Sequence, residues 1–175
     1  MAKVAIVLDD DFEDVEFETP RTTLLEHGHE VTVVGLEESK EVTGKQGRVT
    51  YTIDCSVDQV NARDFDALVI PGGYSPDHLR MDDKMVRFVK DCSDKGMPIA
   101  AICHAGSLLI EADVVKRRTV TSWPSIRTDL QNAGAAWMDQ EVVYDGNLIT
   151  SRKPDDLPAF TKALLGELPE PEVPA

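Results

Sequence analysis

Four short apolar runs constrain this chain more than any other feature. They are KVAIVL (3–8), HEVTVVGL (29–36), FDALVIPGG (65–73) and MPIAAICH (97–104). Each is nearly continuous in Val, Ile, Leu and Ala rather than alternating. A strand reads this way when both of its faces are covered. Helical stretches separate the runs. The pattern predicts helices over residues 14–27, ending at Gly28, and over 78–95, ending at Gly96. Further helices are expected at 104–115, 125–133 and 154–166. Strands alternating with helices mean βαβ units and a mostly parallel α/β sheet.

Two segments depart from that rhythm. VTGKQGRVTYTID (42–54) carries Gly44 and Gly47 and reads as a β excursion between two βα units. EVVYDGNLIT (141–150) reads as a β-hairpin turning at Asp145-Gly146. The 175 residues suit one domain, expected over 1–168. The tail PEPEVPA (169–175) holds three prolines and little to bury, so loose order is expected there.

A net charge of −14 argues against nucleic acid and anionic membrane as partners. It also serves simply to keep the protein in solution. No apolar stretch approaches the roughly 20 residues of a membrane span, and MAKVAIVLDDD lacks the layout of a signal peptide. The three cysteines, Cys55, Cys92 and Cys103, show no CxxC spacing. That argues against a disulfide framework or a zinc site and for a cytoplasmic setting. Neither a cofactor nor a metal is expected.

In an open α/β sheet, ligands bind beyond the carboxyl ends of the strands. Three polar clusters fall there: DDDFED, PGGYSPDH and CHAG. Cys103 stands where a strand turns into a helix, followed by small Ala105 and Gly106. A nucleophile elbow has this layout, and a helix N-terminus favours a thiolate. The alternative is an inert, buried thiol. His104 is the candidate base, or else a histidine bonded at a helix start. The glycines after DALVI make an ordinary turn or, with Gly73 and His104 donating backbone N–H, an oxyanion hole. Asp77 is a carboxylate placed to orient His104. Most of DDDFEDVE reads as a solvated loop and an acidic first helical turn. If Glu13 reaches Cys103, a protonated carboxyl could donate a hydrogen bond to the sulfur.

FEDVE, DALVIPGG, AAICHAG, TVTSWPSIRTDLQNAGA and DGNLITSRKPDDLPAF occur in this order over residues 3–166. Together they resemble the PfpI branch of the ThiJ/PfpI superfamily, which is related to glutamine-amidotransferase domains. The resemblance implies a flavodoxin-like three-layer sandwich with helices on both faces and the cysteine on a strained elbow. It implies Cys103 as nucleophile, His104 as its catalytic neighbour and Glu13 as the carboxyl on the thiolate. Gly73 matches the oxyanion-hole glycine. Asp77 matches the acid that completes the triad from an adjacent subunit, so a homodimer or higher oligomer with the site near its interface is implied. Family activities include glyoxalase III-like conversion of methylglyoxal to lactate, deglycation of protein adducts, intracellular peptidase action and stress protection. A redox role for Cys103 is the alternative to carbonyl chemistry. The family usually reads CHGP where this chain has CHAG, Glu at Asp77, and Tyr at the pocket position held by Trp123.

Overall fold

The computed structural model describes residues 1–170. The chain opens with β1 (Lys3–Val7), α1 (Asp14–Glu26) and β2 (Glu30–Gly35). A short antiparallel pair, β3 (Glu41–Thr43) and β4 (Thr50–Thr52), leads into β5 (Cys55–Ser56). Then come β6 (Ala67–Ile70), α2 (Ser75–Leu79), α3 (Asp83–Lys95), β7 (Ile99–Ile102) and α4 (Gly106–Glu111). The C-terminal part holds β8 (Thr119–Val120), α5 (Arg127–Asn132), β9 (Ala136–Trp137), β10 (Val143–Asp145), β11 (Leu148–Ser151) and α6 (Leu157–Gly166).

The main sheet has the order β10-β11-β7-β6-β1-β2-β5. Its pairs are parallel except for the β10–β11 hairpin. Side chains alternate between the faces of a strand. Val4 and Ile6 of β1 therefore pack with Phe17 and Leu24 of α1 and Phe160 and Leu164 of α6. Ala5 and Val7 pack on the other face, with Leu79, Phe88, Leu108 and Leu130 from α2 to α5. Helices on both faces make the expected flavodoxin-like sandwich. The double cover explains why residues 4–8 are all 0% exposed and why their run shows no alternation.

Several element boundaries differ from the sequence expectation. The helix expected over 78–95 is two helices, α2 and α3. Asp82 sits between them in extended backbone and its carboxylate accepts the Met85 N–H at 2.9 Å, restarting the helix as an N-cap. The helix expected over 104–115 is a 3₁₀ turn at Cys103–Ala105 followed by α4, which ends at Glu111 ahead of a left-handed Asp113. Short 3₁₀ turns at Pro124–Ile126 and Pro154–Asp156 likewise precede α5 and α6. The excursion is the β3–β4 pair. In the hairpin Asp145 pairs with Leu148, so the loop is Gly146-Asn147, one residue later than expected. Most of the tail segment 169–175 lies outside the described residues. Among the described residues, no helix is long and apolar enough to cross a membrane.

Candidate active site

Cys103 follows directly on β7, and its backbone is left-handed, with φ 62°. That conformation costs a residue with a Cβ roughly 1–2 kcal/mol. It turns the chain sharply from strand into helix and leaves the thiol half-buried at the sheet's carboxyl edge. The Trp123 N–H holds the elbow by donating to the Cys103 carbonyl at 3.1 Å. The Trp123 indole itself is 40% exposed, at the rim. Backbone N–H groups of His104 and Gly73 donate toward the Cys103 sulfur. PGGYSPDH and CHAG therefore meet at this edge, and DDDFED joins them through the bridge of Phe12 to Gly73.

The carboxyl beside the sulfur belongs to Glu16, not Glu13. Glu16 is 0% exposed. Its Oε1 accepts the Gly72 N–H at 2.9 Å, and its Oε2 has no well-formed partner. The Cys103 thiol is a hydrogen-bonding neighbour of the same carboxyl. Gly72 permits this approach, since a Cβ there would lie 2.5 Å from Glu16 Oε1 and 2.7 Å from Cys103 Cβ. Glu13 instead pairs with the Lys45 ammonium at 3.1 Å and accepts from Gln46 Nε2 at 3.4 Å. The reason is helical geometry. Glu13 caps α1 from outside, whereas Glu16 lies on the buried stripe with Phe17, Pro20 and Leu24. That periodicity was the available signal. Lys45 had no such signal, because its place depends on how the β3–β4 loop docks.

Burial pushes the Glu16 carboxyl up to about 8. Burial and an ionised Glu16 push the Cys103 thiol up to about 12, while the His104 and Gly73 N–H groups and Lys45 pull it down. The two groups therefore titrate as a pair. Burial, reinforced by Lys45, lowers the His104 pKa, and Asp77 of the same chain opposes this by its charge. His104 is thus a neutral imidazole at neutral pH. Asp77 is exposed in the first turn of α2, and no hydrogen bond joins its carboxylate to His104 among the described residues. Among the described residues no group of three or more His, Cys, Asp or Glu side chains is arranged to hold a metal ion.

Gly73 is left-handed at φ 74°, and a Cβ on it would meet the Asp11 carbonyl and the Glu13 nitrogen at 2.5 Å. Gly73→Ala is therefore expected to lose at least ~2 kcal/mol of stability, read as a fall in the urea midpoint.

A doubly covered parallel sheet, with a cysteine on a left-handed elbow and a carboxyl beneath the sulfur, defines a class of cysteine-elbow α/β proteins. Within that class the chain belongs to the DJ-1/PfpI family, whose profile matches residues 2–167. It is 48% identical over 164 residues to protein/nucleic acid deglycase 2 of Escherichia coli, covering 93% of this chain and 95% of that one. It is 49% identical over 167 residues to general stress protein 18 of Bacillus subtilis, covering 95% and 97%. It superposes with a TM-score of 0.94 and 42% identity on a two-domain protein of Anabaena variabilis containing DJ-1/ThiJ/PfpI-like and ferritin-like domains. That match covers 95% of this chain but 48% of the Anabaena protein, about half its length.

Proposed function

We propose that the protein is a stress-protective, cysteine-dependent enzyme acting on small reactive carbonyls or their adducts. The observation that carries this reading is the distribution of donors around the Glu16–Cys103 pair. The backbone N–H groups of His104 and Gly73 and the Lys45 ammonium lie near enough to the sulfur to favour its charged form. Glu16 accepts one N–H, from Gly72 on Oε1, and none on Oε2. Taken singly, burial lets Glu16 ionise before the thiol; in the coupled pair the N–H donors and the Lys45 charge favour the negative charge on the sulfur, with the proton kept on Glu16. The thiolate attacks an aldehyde carbon, and the backbone N–H groups of Gly73 and His104 receive the oxygen that becomes charged. Neutral His104 takes up and returns the proton. For an α-oxoaldehyde the net change is addition of one water, with the aldehyde hydrogen moving to the neighbouring carbon, giving an α-hydroxy acid. The name of the Escherichia coli relative, a deglycase, supports the carbonyl assignment. Incubation with methylglyoxal tests it: lactate should accumulate, and methylglyoxal lost without lactate would exclude the conversion.

We place the site near the interface of a homodimer, with Asp77 of the partner subunit orienting His104. The His104 ring makes no hydrogen bond within its own chain among the described residues, which leaves that role open. Mixing inactive Cys103→Ala and Asp77→Ala chains should then restore part of the activity. Mixtures as inactive as their components would mean that Asp77 serves its own chain or none. Three unpaired thiols suit a reducing compartment such as the cytoplasm.

The unpartnered Glu16 Oε2 also favours a redox reading. A protonated Oε2 can donate to the oxygen of an oxidised sulfur, so peroxide would convert Cys103 to sulfenic and then sulfinic acid. Mild peroxide should oxidise Cys103 ahead of Cys55 and Cys92. Equal oxidation of all three by mass spectrometry would remove this reading.

A further inference from the structure

The β3–β4 hairpin stands outside the main sheet, yet its loop is built onto the site. The Lys45 N–H donates to the Phe12 carbonyl at 2.9 Å. Phe12 bridges to Gly73. Glu13 and Tyr74 bind the same stretch, through Glu13 N–H to the Gly72 carbonyl at 3.2 Å and Tyr74 N–H to the Asp11 carbonyl at 2.8 Å. These backbone bonds link the hairpin loop to Gly72, whose N–H donates to Glu16, and to Gly73, whose N–H faces Cys103.

One buried side chain holds the loop in place. Asp14, 1% exposed, accepts backbone N–H bonds from Gln46 at 2.8 Å and from Arg48 and Val49 at 2.9 Å each. Burial pushes its carboxyl up, but these donors outweigh burial and hold it below the usual carboxylate range. It is therefore ionised at neutral pH. The loop delivers the Lys45 ammonium to Glu13 at 3.1 Å and over the Tyr74 ring at 5.7 Å. The hydrogen bond to Glu13 keeps Lys45 above its ordinary pKa, so it stands there as a cation rather than a free amine nucleophile. The charged and titratable groups within its reach are Glu13 at the cap of α1, Glu16 within α1, Tyr74 after β6, and Cys103 and His104 at the elbow.

We propose that the β3–β4 hairpin is part of the reactive site, and that Asp14 is a positioning residue: its hold on residues 46–49 fixes the Lys45 ammonium beside the Cys103 elbow, where that charge favours the thiolate. This rests on the reading of Cys103 as a nucleophile. The effect is Coulombic and needs no contact between Lys45 and the sulfur.

The test is the pH profile of Cys103 alkylation by iodoacetamide, mapped to the residue by mass spectrometry. Lys45→Met should slow alkylation about tenfold at neutral pH, which is a rise of about one unit in the apparent pKa. Lys45→Arg should restore most of the rate. Asp14→Asn should shift the profile in the same direction with an unchanged circular dichroism spectrum. The double variant should go no further than Lys45→Met alone. An unchanged profile in Lys45→Met, or single effects that add in the double variant, would overturn the proposal. If Asp14→Asn does not fold, Gly44→Ala takes its place, since a Cβ there would lie 2.3 Å from Asp14 Cγ. An unmoved profile in that variant would equally overturn it. Alkylation needs no turnover. A shifted profile in a protein that converts no carbonyl would reject the proposed activity and leave this assignment standing.

Discussion

Cys103→Ala is expected to abolish lactate formation from methylglyoxal, by on the order of 10³-fold or more, while Cys55→Ala and Cys92→Ala should retain it. The contrast follows from surroundings rather than residue type. Cys92 is 0% exposed among the core side chains of α3, and burial pushes its thiol up to about 12. Burial, with Asp54 and Glu38, also pushes the Cys55 thiol up. Cys103 alone of the three receives backbone N–H donors aimed at its sulfur. Alanine there keeps the elbow, because the left-handed strain at φ 62° is the same for any side chain bearing a Cβ. Lactate is measured enzymatically on the three variants at equal protein concentration. Undiminished product from Cys103→Ala would end the proposal.

Glu16→Gln should be more stable than the wild type in mildly alkaline solution, by up to several kcal/mol. The sign follows from proton binding. The Glu16 carboxyl has an ordinary value of 4.5 and is raised to about 8 in the folded protein. Between those values the folded state binds more protons than the unfolded state. Stability is therefore full below about 4.5 and falls as pH rises until the Glu16–Cys103 pair loses its first proton, near 8. Glutamine cannot ionise, so this decline should disappear from urea midpoints measured across that range. The amide also keeps an acceptor for the Gly72 N–H and a donor for the sulfur. Glu16→Leu removes both and should depress Cys103 alkylation further than Glu16→Gln. A buried acid retained at a cost in stability is expected where it serves function. If both variants reproduce the wild-type pH dependence, Glu16 does not titrate as described.

The fold was readable because the double cover of the sheet leaves its mark on the strands themselves. Residues 4–8 carry no alternation because neither face of β1 meets water. The break between α2 and α3 was not readable from the apolar pattern. It depends on Asp82 leaving helical backbone to cap α3, a choice that periodicity alone does not reveal. At the site, Cys103 stood out because small residues follow it at a strand end. Glu13 was the wrong member of the acidic cluster to place at the sulfur. Composition makes its acids equivalent, and the stripe of Glu16, Phe17, Pro20 and Leu24 is what marks Glu16 as an acid facing the core. Lys45 was invisible for another reason. Its position is set by bonds from backbone N–H groups to Asp14, and backbone donors leave no pattern in a sequence.

The central claim is that the Glu16–Cys103 pair, on losing one proton, carries its charge on sulfur. Thiolate ultraviolet absorbance against pH, taken as the difference between wild type and Cys103→Ala, tests it most directly. The account predicts a thiolate appearing with a midpoint below the ordinary cysteine value of 9.0 and shifted upward in Glu16→Leu. A sulfur that stays protonated far above 9.0, toward about 12, would place the charge on Glu16 and contradict the account.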